Sequence, residues 1–267
     1  MISAGSRAGT PAVGAELKRL PLTLARSLFA ACMAGAKRQD RPMARILNWQ
    51  PARLPQRKII RGERVRLEPI APRNHGAPLY TATHGPDRDE RLWDYMFVGP
   101  FGTARDFGYW LSDCAESDDP LFYAIVDRKR GPLGLASYTR INPDHGVIEI
   151  GNIFFAAQLQ RTREATEAIY LLLENAFDRL GYRRVEWKCD ARNRRSMQAA
   201  ARFGFRHEGL FRQHMIVKDE SRDTAWFAML DRDWPRIRRA YQRWLHDKNF
   251  DDEGEQRRPL KAQSRGY

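Results

Sequence analysis

The sequence predicts an α/β (α+β) fold, with one mixed, mostly antiparallel central sheet and helices on both faces. Three observations carry this. The β-rich runs 121–127, 133–141 and 146–155 are separated by "RKRGP" and "NPDHG", turn chemistry suited to an antiparallel meander. A helical stripe of Ala165, Ala168, Ile169, Leu172, Leu173, Ala176 and Leu180 follows, stopping at Gly181, a residue favoured just past a helix end. The chain then returns as a strand over 183–190, and a strand–helix–strand crossover of this kind joins parallel neighbours.

The remaining elements fit around this core. "ERVRLEPI" (63–70) alternates Val65 and Leu67 with charged residues and ends at a proline-containing break, which predicts a first strand. A short helix is expected near 73–83. Thr103 is placed to cap a helix whose apolar face is Phe107, Trp110, Leu111 and Cys114. After 183–190 come a short helix over 194–203 and a hairpin of "LFRQHMIV" and "TAWFAML" around "KDESRD". A closing helix begins near Asp231, with Pro235 in its first turn and Trp234, Ile237, Tyr241 and Leu245 facing inward.

Composition bounds the function. Of the net charge of +13, residues 1–62 supply 12 Lys/Arg less 2 acids, or +10, leaving +3 for the rest. That weakens any case that the folded part was built to hold nucleic acid, and the basic leader lacks the interleaved aromatics of a single-strand binder. The three cysteines (Cys32, Cys114, Cys189) and six histidines show no metal-ligand spacing, so no metal is expected and a reducing, cytoplasmic setting is. No run of 18 apolar residues exists, which argues against a membrane span. Residues 18–36 loosely imitate a signal peptide, but Arg26 interrupts the apolar run; an unstructured leader is the simpler reading, and Met43 could begin a shorter chain. The expected organisation is a basic leader over 1–60, one domain over 61–247 and a polar tail over 248–267.

The stretch from 156 to 168 carries the chemistry. A strand feeds directly into a helix N-terminus, where unpaired amides and the helix dipole favour an anion, and Arg161 and Arg163 add positive charge. Here the chain resembles the Gcn5-related N-acetyltransferase superfamily. The residues that carry the resemblance are Gln160-Arg161-Thr162-Arg163-Glu164-Ala165-Thr166, then Asn193 to Gly204-Phe205, and Glu149-Ile150-Gly151 on the preceding strand. It spans about residues 61–231 and looks most like the branch of ribosomal-protein N-terminal-alanine acetyltransferases.

The resemblance implies a sheet with a splayed parallel strand pair and acetyl-coenzyme A (acetyl-CoA) as co-substrate. Its pyrophosphate would lie on Gln160–Thr166. It also implies Glu149 as general base, a backbone amide within Ile153, Phe154 and Phe155 as oxyanion donor, and Asn193 as a pantetheine contact. Arg163 stands where the family has its first glycine, and Ala200 where many relatives have a general-acid tyrosine. Ser196 or water is then left to protonate the thiolate. Several structural alternatives stay open: Gln160–Thr166 as an ordinary capped turn, Glu149 as a solvent-facing strand position, and Asn193 as only a helix cap. Acceptor contacts are expected from Trp93, Tyr95 and Trp226, with Phe97 and Trp110 as further candidates, although aromatics equally build cores. Asp87, Asp89 and Glu90 are candidates for attracting a cationic acceptor. The expected activity is acetyl transfer to a primary amine, with a non-catalytic acyl-CoA-binding module as the alternative. The sequence leaves room for a homodimer.

Overall fold

Alternating β-branched and aromatic residues build eight strands into a single sheet in the computed structural model, which describes residues 48–262. The signal-like segment 18–36, Cys32 and Met43 lie outside the described residues. The elements are β1 (Ile60–Arg61), β2 (Val65–Pro69), α1 (Pro72–His84), α2 (Ala104–Glu116), β3 (Leu121–Asp127), β4 (Gly131–Asn142) and β5 (Val147–Phe155). There follow α3 (Arg163–Glu174), β6 (Arg184–Asp190), α4 (Arg194–Phe203), β7 (Arg206–Val217), β8 (Glu220–Leu230) and α5 (Trp234–Leu245). The spatial order is β1-β2-β3-β4-β5-β6-β8-β7, and every pair is antiparallel except β5 with β6.

Each strand sends alternate residues to opposite faces, and β3 shows where they go. Tyr123 and Ile125 join the larger core with α3, α4 and α5, while Phe122, Ala124 and Val126 pack against Leu79 of α1 and Phe107 and Leu111 of α2. Thr103 caps α2 by accepting the Asp106 amide at 3.1 Å. The stripe of α3 runs on through a π-helical segment, Asn175–Arg179, before Gly181 turns the chain at φ +80°.

Three expectations need correction. The folded unit begins at residue 50, not 61. The Ala52 amide donates to Pro143 O (3.0 Å) and the Arg53 amide to Leu180 O (2.8 Å), while Gln56 O accepts from the Tyr123 hydroxyl (2.9 Å). Nor is 248–262 a free tail: Phe250 bridges to Gln256, Leu260 and Ala262 are buried, and Ala262 lies against Gly204. A few apolar contacts suffice there because α5 offers Trp244 as a platform for Phe250, their rings 5.1 Å apart. Finally, the last hairpin turns on Lys218 and Asp219 alone, both at positive φ as in a two-residue turn, so Glu220–Asp223 belong to β8.

Candidate active site

The parallel pair is short, and that shapes the site. β5 and β6 pair only at Val147–Glu149 with Arg184–Glu186. Beyond Glu149 the register with β4 slips at a bulge, with Asn152 at φ +50° and its Nδ2 donating to Ser137 Oγ (2.9 Å). The Ala156 amide donates to Leu133 O on the β4 side (2.8 Å). Successive amides of a strand point to opposite sides, so those of Ile153 and Phe155 face the space left by β6, while that of Phe154 faces β4. A cleft of about 1740 Å³ occupies this space, running from Glu149 past Ile153–Phe155 to the start of α3.

At that start the backbone is set for an anion. Thr162 is the N-cap: its Oγ1 accepts the Ala165 amide (3.1 Å) and donates to Leu159 O (2.7 Å). Arg161 sits at φ +61°, and the amides of Arg161, Arg163 and Glu164 donate to no acceptor among the described residues. Free amides at a helix start, turned to a cleft, form an anion seat. The exposed side chains of Lys129, Arg161 and Arg194 line the same end without an ion pair among the described residues. Gln160 holds the turn to the strand, its Nε2 donating to Phe155 O (3.0 Å). Ala165 and Thr166 are buried beneath, with Thr166 Oγ1 accepting from Arg202 (3.1 Å).

The sheet face shared with α1 and α2 carries an ionic cluster over β5, β6 and β8. Glu149, 4 % exposed, receives Arg140 Nη1 (2.8 Å) and Lys188 Nζ (2.9 Å), both on Oε2. Lys188 also contacts Glu186 Oε2 (2.7 Å) and sits 3.7 Å from the centre of the Trp226 ring. Glu186 is buried, which works to raise its carboxyl, but the bonds from Lys188 and Arg184 outweigh this and hold it below the ordinary value. Oε1 of Glu149 carries no hydrogen bond among the described residues. On the opposite face Ser196 Oγ accepts from Trp187 Nε1 (3.0 Å), and the Ser196 amide is capped by Asn193 Oδ1 (3.0 Å). Asn193 is therefore a helix cap, and it also lines the cleft.

Several expected roles move. Arg163 does not reach toward the anion seat: its guanidinium donates to Leu245 O, pairs with Asp247 (2.8 Å) and covers the Phe250 ring at 4.2 Å. The glycine of the related motif is thus replaced by an anchor for residues 247–250, because truncating nothing there leaves a long side chain free to reach α5. Trp93 is core, 4 % exposed and packed on Phe101, Trp110 and Phe154. Trp226 props Lys188 and does not line the cleft, whereas Tyr95 does, with its hydroxyl on Arg192 O (3.3 Å). Asp89 bonds Gln160 (3.1 Å) and Arg195 (3.0 Å), so it ties the loop before α2 to the anion seat instead of facing an acceptor. Ala200 is buried and offers no proton.

Sequence reasoning missed Arg140, Lys188 and Arg222. Lys188 had a signal, since "RVEWKCD" alternates charged residues with Val185, Trp187 and Cys189, marking a strand face that must neutralise its own charges. Arg140 and Arg222 had none, because one lies at a bulge and the other in a segment composed like a turn. Among the described residues no cluster of three His, Cys, Asp or Glu could hold a metal, and no helix is long and apolar enough to cross a membrane.

A parting strand pair that leads from a buried carboxylate to an anion-ready helix start defines the class: a transferase for a long co-substrate with a phosphorylated end. Residues 64–206, more than half of the chain, match the acetyltransferase (GNAT) domain family. A crystal structure of a GCN5-related N-acetyltransferase from Brucella melitensis is 46 % identical, covering 80 % of this chain and 97 % of that one, with a TM-score of 0.78. One of a probable GNAT-family acetyltransferase from Chromobacterium violaceum is 42 % identical, covering 73 % and 97 %, with a TM-score of 0.67. An uncharacterized N-acetyltransferase, p20, of Bacillus licheniformis is 27 % identical over 154 residues, 55 % of this chain and 84 % of that protein. The chain belongs to the GNAT family of N-acetyltransferases.

Proposed function

We propose that this enzyme moves the acetyl group of acetyl-CoA to a primary amine of a protein N-terminus, an amino acid or a small amine by direct attack on the thioester. Within the family we place it beside the ribosomal-protein N-terminal-alanine acetyltransferases, acting in the cytoplasm, with a homodimer as the assembly to test by sedimentation. The observation that carries the reading is the gap between β5 and β6: it joins the open Oε1 of Glu149, the amides of Ile153 and Phe155 and the free amides at the start of α3.

Acetyl-CoA supplies an acyl group activated as a thioester. The amides of Arg161, Arg163 and Glu164, with Lys129, Arg161 and Arg194, hold its phosphates, and Asn193 Nδ2 fronts the pantetheine. An amine is mostly protonated at neutral pH, so Glu149 Oε1 takes its proton, directly or through one water. Arg140 and Lys188 hold the other oxygen and fix the carboxylate's orientation. Charge developing on the carbonyl oxygen is met by the amides of Ile153 and Phe155, which need no reorganisation. Ser196, whose oxygen already accepts from Trp187, relays a proton to the departing thiolate while its own hydroxyl is reprotonated from solvent, or water protonates the thiolate directly.

Calorimetric titration of acetyl-CoA tests this, alongside Glu164→Pro, which deletes one seat amide at a first-turn position that tolerates proline, and Asn193→Ala. Micromolar binding that weakens about tenfold in Glu164→Pro is expected, since a charge-assisted bond contributes about 1.5 kcal/mol or more. An intact protein that fails to bind acetyl-CoA ends the proposal. Amine-dependent thiol release separates the enzyme from a silent acyl-CoA binder.

A further inference from the structure

Arg222 is the one cation of the β5–β6–β8 face that no carboxylate among the described residues meets in an ion pair. It is 6 % exposed, lines the cleft, and forms neither an ion pair nor a hydrogen bond there; its Nε is buried without a partner. Its guanidinium carbon lies 5.2 Å from the centroid of the Phe97 ring, and the carboxylates of Asp190 and Glu149 act on its charge from beyond ion-pair distance. Every neighbouring carboxylate is already taken. Asp190 has both oxygens on Arg192, Glu149 is held by Arg140 and Lys188, and Glu186 by Lys188 and Arg184.

Register places Arg222 on the acceptor side. Lys188 pairs with Trp226 and Asp190 with Thr224 across β6 and β8, so these four share a face, and Arg222, two residues from Thr224, shares it too. Glu149 is on the same face through its register with Glu186. The co-substrate's phosphates have their own seat at the far end, with amides and three cations that are unpaired among the described residues, and leave no task for Arg222.

A buried guanidinium without an ion-pair or hydrogen-bond partner is costly, and such a breach of ordinary pairing marks a place where a ligand completes the site. We infer that Arg222 receives a carboxylate of the acceptor, so that the substrate is an amine that also bears a carboxylate, as amino acids do. The planar fork of arginine suits the two oxygens of a carboxylate. Amine and carboxylate then span the cleft from Glu149 to Arg222. This rests on the acetyl-transfer reading above and narrows its acceptor.

The test uses straight-chain ω-amino acids from glycine to 6-aminohexanoate and the common L-amino acids, each paired with its own carboxamide. Acetylated product is quantified by mass spectrometry for the intact enzyme, Arg222→Gln and Arg222→Lys. At least one acid is expected to exceed its amide in kcat/KM by on the order of 30-fold, the scale for removing one partner of a buried charge pair. That preference should vanish in Arg222→Gln and partly return in Arg222→Lys. Without substrate, Arg222→Gln should melt no lower than the intact protein, because removing a buried charge that is in no ion pair offsets the lost contact with the Phe97 ring; a purely structural arginine would instead give a lower melting temperature. Equal use of acids and amides, an equal loss of both in Arg222→Gln, use of phosphoethanolamine in preference to every acid, or no acetylation of any acid by protein that binds acetyl-CoA would each overturn the inference. Failure to bind acetyl-CoA at all would instead remove the reading on which it rests.

Discussion

Replacing Arg163 by alanine separates two roles that a motif comparison alone would merge. In the structure the guanidinium is turned from the anion seat toward the C-terminal segment, where it meets Leu245 O, Asp247 and the Phe250 ring. A charge-assisted hydrogen bond to a carbonyl contributes roughly 1.5–3 kcal/mol, and a cation over an aromatic ring roughly 0.5–1 kcal/mol. Against these, Nε of Arg163 is buried without a partner, a cost the alanine variant does not bear. The fully exposed Asp247 adds little. The net loss expected is about 2 kcal/mol, which for a domain of this size lowers Tm by roughly 4–8 °C. Differential scanning calorimetry reads this, and limited proteolysis should cut residues 247–262 sooner in the variant. Acetyl-CoA affinity should change by less than about threefold, because the backbone amide at 163 remains in place. A tenfold loss of acetyl-CoA affinity with an unchanged Tm would refute the reasoning, since it would mean that the side chain reaches a phosphate.

Two further outcomes are expected. Glu149→Gln should lower kcat by on the order of 10²–10⁴, the usual contribution of a general base, with acetyl-CoA affinity unchanged and the deficit narrowing for weakly basic amines that are already unprotonated; an equal deficit for all amines would argue against proton removal. Asp127 is buried, which works to raise its carboxyl, but the Arg130 side chain and the amides of Arg130 and Lys129 prevail and hold it below the ordinary value. A depressed folded-state pKa gives stability that is present above the unfolded value and lost as pH falls through the folded one. Asp127→Asn should therefore cost about 1–2 kcal/mol at pH 7, and melting curves of variant and parent should converge below about pH 3.9; a difference that persists unchanged to low pH would contradict this.

Much of this protein was legible locally. Periodicity and turn chemistry located β2 to β6 and both central helices, because each signal is a property of neighbouring residues: alternation in β3, the stripe of α3, the Thr103 cap, the glycine after Phe203. The helix start at Thr162 was equally local, since its cap follows from the chain around it.

What only the tertiary structure decided are questions of which groups meet across the sheet. Whether Trp93 faces a ligand or a core depends on α2 and β5 arriving beside it, and the destination of Arg163 depends on a segment more than 80 residues later. The pairing of Glu149 with Arg140 and Lys188, and the absence of an ion pair for Arg222 among the described residues, arise from four strands brought together by register. A sequence by itself determines which faces carry charge; charge balance is a sum over neighbours in space, and only the fold says who the neighbours are.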